Sequence, residues 1–313
     1  MRKITLLIFC CCFWLYSSAQ DPQFSQNLSN PIYLNPAFAG YDGCPTIRTS
    51  YRNQWPNISG NFQTVNVSYD QLLGKMHGIG VNYQYDNSAN TLLSHSLSVI
   101  YAPVFRVFDK QLTISPAFEV GWKYRTLNTS ELTFGDMIDP RYGFVYSPEN
   151  VNMNTERHLI DFSSGLVFSW KGLIAGFAAH HLAQPDEGFS GISKLPARLT
   201  AHINYQFNIS ERIKISPAFV FQKQQDFLSM LPSLAFEVYG ARIGAAFRTS
   251  HTNPDAVIFM IGYSGQGVKV GYSYDYTVST LTNNTGGSHE VSLAYVFNCK
   301  KAEHRKGVSL INF

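Results

Sequence analysis

Charge is scarce in this chain. Asp, Glu, Lys and Arg make up 14% of its 313 residues, against roughly 25% in an ordinary soluble domain. A surface of ordinary water-facing composition is thereby excluded. Long apolar runs are missing too. Past the first twenty residues no stretch approaches the roughly 20 apolar residues that a spanning helix needs, so a bundle of membrane helices is excluded. A basic excess is lacking: 24 Lys and Arg stand against 21 Asp and Glu, and a nucleic-acid surface needs more. Cysteine is rare, at five residues. No helix-period stretch or low-complexity run stands out, so a Gly-rich phosphate loop opening a helix has no place here.

What is present is aromatic and alternating. Phe, Tyr and Trp reach 14%, with 18 Tyr and 23 Phe, while mean hydropathy stays just below zero. From Gly78 to Asn87 the chain reads GIGVNYQYDN. Ile79, Val81, Tyr83 and Tyr85 alternate with Gly80, Asn82, Gln84 and Asp86, a period of two that marks a strand with unlike faces. A membrane β-barrel reconciles these features, because its lipid-facing residues alternate with a polar lumen. Strands can cross a bilayer only as a closed barrel, since every backbone N–H and C=O must be satisfied internally.

The first 19 residues read as a signal peptide. Arg2 and Lys3 precede an apolar run from Ile4 to Tyr16, and Ser17-Ser18-Ala19 offers small residues for cleavage near Ala19/Gln20. The run is too short for a membrane helix. Cys10, Cys11 and Cys12 leave with it, so Cys44 and Cys299 remain in an oxidising compartment. Subtracting Arg2 and Lys3 from 24 basic residues leaves 22 against 21 acidic ones.

Alternation predicts an all-β, antiparallel up-and-down transmembrane barrel of about fourteen strands over residues 44–299. The set runs from Ile47, Thr49 and Tyr51 to Val291, Leu293, Tyr295 and Phe297. The tenth member, Leu234, Phe236 and Val238, is the weakest pattern. Short connections fall on one side, at Leu72–Gly78, Ala102–Lys110, Trp170–Gly172, Asn208–Arg212, Tyr239–Gly240 and Ser264–Gly267. The longest, Thr126–Arg157, Ala183–Ala197 and Thr277–His289, fall on the other, as periplasmic turns and outer loops do. Cys44 precedes the first strand and Cys299 follows the last on the same side, which makes them candidate disulfide partners across the seam. Ile-Ser-Pro-Ala-Phe occurs twice, at Ile114–Phe118 and Ile215–Phe219. Since proline cannot donate to a ladder, each predicts a bulge near the rim.

The inward positions collect charge: Arg48, Glu119, Lys123, Asp161, Arg198, Glu237, Arg242, Arg248, Lys269 and Asp275. The signs are mixed, which favours a hydrated wall network over a one-sign selectivity ring. Glu290 and Arg52 face inward near the outer end of the seam, where they are placed to pair. Residues 20–43 lie outside the strands. Their Asn30-Pro31 and Asn35-Pro36 pairs predict turns. Their apolar residues, Phe24 to Phe38, need burial, either in the lumen as a plug or over the periplasmic mouth as a cap. Residues 300–313 form a basic periplasmic tail.

The segment Asp21-Pro22-Gln23-Phe24-Ser25-Gln26, with Asn30-Pro31, Asn35-Pro36 and Gly40, resembles the opening of the PorP/SprF proteins of the type IX secretion system. Arg52-Asn53-Gln54-Trp55 adds to the resemblance. So do Phe134-Gly135-Asp136-Met137-Ile138-Asp139-Pro140 with Gly143-Phe144, His180–Pro185, and Lys194-Leu195-Pro196. It spans nearly the whole mature chain. It implies a non-enzymatic barrel in the outer membrane of a Bacteroidota-type cell, without cofactor. It also implies three kinds of partner: outer-membrane lipid, periplasmic type IX components, and a secreted, adhesin-like cell-surface protein. A role in gliding motility is implied for some members. The loop residues Phe134, Gly135, Asp136, Asp139, Pro140, Gly143 and Phe144 are the candidate contacts for the secreted partner. A transport channel for small solutes is the alternative reading.

Catalytic and metal signals are thin. A barrel hydrolase wants nucleophile and base two residues apart on one strand face. Only Thr200/His202 and Thr249/His251 have that spacing, and threonine is an ordinary wall residue. His180 and His181, as strand neighbours, are expected on opposite faces and so not on one ion. Asp136 and Asp139 fall short of a calcium loop's ligand count.

Overall fold

A computed structural model of the chain describes residues 20–108, 111–132, 137–139, 141–144, 154–250, 254–278 and 285–298. Fourteen long strands follow one another: β1 (Thr46–Gln54), β2 (Phe62–Leu73), β3 (His77–Ser88), β4 (Leu92–Pro103), β5 (Leu112–Leu127), β6 (Glu156–Trp170) and β7 (Leu173–His180); then β8 (Arg198–Tyr205), β9 (Ile213–Gln224), β10 (Phe227–Val238), β11 (Ala241–Thr249), β12 (Pro254–Gly265), β13 (Val268–Thr277) and β14 (Ser288–Val296). Each pairs antiparallel with the next. β1 also pairs with β14, from Thr46↔Val296 to Gln54↔Ser288, which closes the cylinder. The strand count, order and facing follow the alternation in the sequence.

Burial is inverted relative to a soluble domain. Outward residues such as Val99, Ile160 and Ile243 are more than 60% exposed, while inward Arg48, Asn66, Asp70 and Glu290 are 1% exposed or less. Val81 and Tyr83 of the GIGVNYQYDN stretch face out, and Gly80 and Asn82 face in. The longest connections, after Leu127, after His180 and after Thr277, all lie at one end, which orients that end outward. Three inner-end turns have two residues, Lys171-Gly172, Tyr239-Gly240 and Gln266-Gly267, each with positive φ at both positions. That geometry matches the twist of a hairpin. A Cβ at Gly240 would collide with the Ser264 carbonyl.

The two Ile-Ser-Pro-Ala-Phe phrases do not form bulges. β5 runs past Pro116 in continuous register with β6, and β9 past Pro217 with β10. The interruption lies in the preceding strand instead. β4 stops pairing with β5 at Tyr101↔Phe118 and resumes as Phe105↔Ile114. β8 stops at Asn204↔Ala218 and resumes as Phe207↔Ile215. The proline, which has no N–H to give, stands opposite the gap. The displaced Val104 and Gln206 N–H groups donate sideways to Met76 O (2.7 Å) and Gly172 O (3.0 Å).

Candidate functional site

The inside of the cylinder holds the chain's own opening segment. Each Asn-Pro pair begins a helical turn, with proline at the first position where a missing N–H costs nothing: α1 (Pro31–Leu34) and the 3₁₀ turn Pro36–Phe38. Ile32, Leu34, Ala37, Phe38 and Ala39 are almost fully buried. They pack on inward apolar residues from distant strands, among them Ile100, Val167, Ile174 and Ile258. Asn35 reaches the wall itself. Its Nδ2 donates to the carbonyls of Leu166 and Phe177 (3.2 Å each), facing residues of β6 and β7, and its Oδ1 accepts from Ala37 N–H (3.0 Å). Gly165 permits this approach, because a Cβ there would strike Asn35 Oδ1. His202 lies beneath, 3.2 Å from Asn35 and with its ring 5.0 Å from Phe38.

Charge fixes the segment along its length. Near the outer third, Ser25 and Gln26 donate successive N–H groups to the two oxygens of Glu290 (2.7 and 3.1 Å). Ser25 Oγ donates to Asp275 Oδ2 (2.7 Å) and accepts from Arg52 (2.7 Å) and Arg248 (2.6 Å). Arg52 and Arg248 each lie 2.9 Å from Asp275, and Arg52 pairs with Glu290 at 3.3 Å as its sequence placement anticipates. The cluster joins β1, β11 and β13 through the Ser25 hydroxyl and β14 through the Ser25 N–H. At the inner end Gly40 N–H donates to Asp70 (2.9 Å), and Arg48 pairs with both Asp70 and Asp42.

At the outer end Asp21 is held by His181 Nε2 (2.6 Å), Arg198 (3.2 Å) and Gln224, whose Oε1 accepts its N–H (3.1 Å). Arg198 also lies over the Tyr33 ring, 4.9 Å from its centroid. The other nitrogen of His181 meets Asp161 at 2.6 Å. His180 and His181 therefore do not take opposite faces. His181 has φ 58°, which ends β7 and turns its ring inward, 6.4 Å from that of His180. Burial alone would push His181 down, but the carboxylates of Asp21 and Asp161 hold it up at about 9. Burial likewise works against an ionised Asp21, and His181 and Arg198 outweigh it, holding the carboxyl well below its usual range.

Above this latch the cylinder opens into a cavity of about 680 Å³ on the long-loop side. Its floor is Gln20 to Gln23 and its rim includes Trp55, Phe62, Leu195 and Phe227. It exists because the inward positions of β4 are Ser94, Ser96 and Ser98, and Gly121 of β5 has no side chain. The loop after β7 folds over one edge through Glu187, which pairs with Arg125 and lies 3.8 Å from Lys123.

Of the candidate outer-loop residues, Asp139 and Gly143 pair in a small hairpin with Ile138 and Phe144. Asp139 Oδ1 accepts from Arg141 and Tyr142 N–H (2.7 and 3.0 Å). Phe134, Gly135, Asp136 and Pro140 lie outside the described residues, as do residues 1–19, Cys299 and the tail 300–313. Cys44 is buried and disulfide-bonded at the foot of the seam, where Phe297 N–H donates to Pro45 O (2.9 Å). Alternation alone does not reveal the apolar set at lumen positions, whose signal is hydrophobicity on the wrong parity, nor the turn that brings His181 inward.

A closed antiparallel cylinder, greasy outside and polar inside, with sorted loops, defines an outer-membrane β-barrel. Its fold is shared with the Ralstonia pickettii toluene transporter TbuX (TM-score 0.50, 11% identity, 86% of this chain and 94% of that one). The Pseudomonas putida toluene transporter TodX is also similar (TM-score 0.51, 11% identity, 87% and 94%). At such identity the likeness is one of fold alone. No curated protein sequence matches the chain. Residues 16–295 match the family described as type IX secretion system membrane protein PorP/SprF, and the chain belongs to that family.

Proposed function

We propose that this barrel is a non-enzymatic accessory of type IX secretion that helps deliver, or holds at the surface, a secreted partner protein docked at its outer mouth. The observation that carries this reading is the occupied lumen. From Asp21 to Gly40 the passage is filled by the chain itself, tied by buried ion pairs and packed against strands around the cylinder. Such a barrel serves as a scaffold for its loops. The open cavity and the loops around it form the docking end, with residues 134–144 at the centre of the longest loop. At the inner face the basic tail 300–313 and the segment's inner end near Gly40 are the contacts for periplasmic components. Deleting Phe134–Phe144 is expected to leave the barrel in the outer membrane while surface retention of the partner is lost. Unchanged retention, measured on whole cells by protease accessibility, overturns the proposal.

A second reading, passage of small solutes, rests on the 680 Å³ cavity and on a fold shared with two barrels described as toluene transporters. Planar-bilayer recording separates the two. The scaffold reading expects no steady conductance from the intact protein, and the channel reading expects it.

A further inference from the structure

One arrangement on the outside of the cylinder occurs twice with nearly the same geometry. On β3 and β4, the Tyr83 hydroxyl lies 2.9 Å from His95 Nδ1 and the Tyr85 ring packs on the same imidazole at 5.0 Å and 48°. On β13 and β14, the Tyr272 hydroxyl lies 2.8 Å from His289 Nδ1 and the Tyr274 ring packs at 5.1 Å and 46°. In each case the second tyrosine stands directly opposite the histidine across the ladder. The first module continues sideways in register, Tyr85↔His95↔Tyr124↔His158, with Tyr124 and His158 rings stacked at 4.8 Å. The second continues along the polar band His289↔Asn53↔Gln63 toward the first.

All these residues point away from the lumen, at the long-loop end of their strands. Just below them lie apolar residues such as Leu97, Ile160 and Leu293, which are 43%, 63% and 45% exposed. The modules thus stand where acyl chains give way to headgroups, the level at which aromatic girdles form. A plain girdle needs only tyrosine and tryptophan. Here each imidazole is clamped by a phenol. Where the phenol hydroxyl donates to Nδ1, the neutral ring keeps its proton on Nε2, and a protonated ring carries a proton there as well. In both of these states Nε2–H is a donor, whereas the tautomer that donates Nδ1–H to the phenol oxygen leaves Nε2 an acceptor. Among the described residues, the outward acid Glu156 lies one row further out than His158.

We infer that the two Tyr-x-Tyr/His modules, His95 with Tyr83 and Tyr85, and His289 with Tyr272 and Tyr274, form a binding site for the phosphate of an outer-leaflet lipid headgroup. The clamp fixes the imidazole so that Nε2–H meets a phosphate oxygen, and the neighbouring rings cover the upper acyl and sugar carbons. This goes beyond the partner-holding role and does not depend on it.

The test uses the full-length barrel in neutral-lipid nanodiscs doped with lipid A, either intact or stripped of its phosphates. Native mass spectrometry then measures the lipid retained. Wild type is expected to keep intact lipid A and release the dephosphorylated form. The His95→Phe/His289→Phe variant, checked for folding by heat-modifiable migration, is expected to lose about tenfold in retention, or ~1.4 kcal/mol. If that variant fails to fold, Tyr83→Phe/Tyr272→Phe keeps every ring and removes only the clamping hydroxyls, and the same direction of loss is expected. Equal retention of both lipids by wild type, or undiminished retention by folded variants, overturns the inference. So does a change of oligomeric state in the variants without any loss of lipid, which would assign the stripe to a protein neighbour.

Discussion

At the scale of single residues, Ser25 stands out. It is small and uncharged, yet its hydroxyl and N–H touch four charged side chains, Arg52, Arg248, Asp275 and Glu290. Breaking a buried, paired network leaves an uncompensated charge, which costs about 3–5 kcal/mol. Arg52→Ala is therefore expected to lower thermal stability by that order, read as the temperature of heat-modifiable migration. Gly165→Val is expected to cost less, about 1–3 kcal/mol by overpacking, through displacement of Asn35 and Pro36. The outer latch carries a pH signature. His181 is raised to about 9 when folded, so its contribution is complete below an unfolded value of about 6.5 and is lost as pH rises through 9. Asp21 is depressed, so its contribution holds above an unfolded value of about 3.9 and is lost as pH falls toward its folded value. Amide protection over residues 21–26, taken relative to intrinsic exchange at each pH, should accordingly be greatest between about pH 4 and 6.5. It should fall toward pH 10, and His181→Gln should flatten that alkaline fall.

At the scale of elements, alternation made all fourteen strands legible. Lipid on one side imposes apolar side chains at every second position, and that pattern survives without knowledge of the fold. β10 shows the limit. The clear alternation covers only Leu234, Phe236 and Val238, while the strand begins at Phe227. Leu231, inward and buried, breaks the pattern there. Ile100, Val167, Ile174 and Ile258 break it elsewhere for the same reason, because each covers part of the segment within. They look like noise until their partner is in view. The repeated Pro phrases were visible, but their effect was not, since the gap falls in a strand about ten residues earlier in the chain. The His181 turn depends on a single φ. Cys44 is expected to be bonded to Cys299 across the seam, given Phe297 N–H on Pro45 O. A non-reducing peptide map should recover the two cysteines in one linked fragment, and free thiols would refute the pairing.

At the scale of the whole molecule, the wall and the segment are one unit. The wall supplies the charges and the inward apolar residues, and the segment supplies the hydroxyl, the N–H groups and the Asn35 wedge. Removing residues 20–43 is expected to strip Asp275, Glu290 and Asp70 of the donors that Ser25, Gln26 and Gly40 supply, leaving these carboxylates and their wall arginines open to water. Such a barrel should melt earlier and, in planar bilayers, conduct where the intact protein is silent.

The direction of the segment has a consequence for biogenesis. Asp21 lies toward the outer mouth and Gly40 at the inner one, so the chain runs down the bore from outer to inner end before β1 begins. Drawing some twenty polar and bulky residues up a finished tube would mean breaking and remaking each ion pair on the way. Laying them on a sheet that is still open, and letting β14 swing shut against β1 around them, needs no such passage. The seam would then be the last joint made, with Ser25 already seated between the two edges it binds.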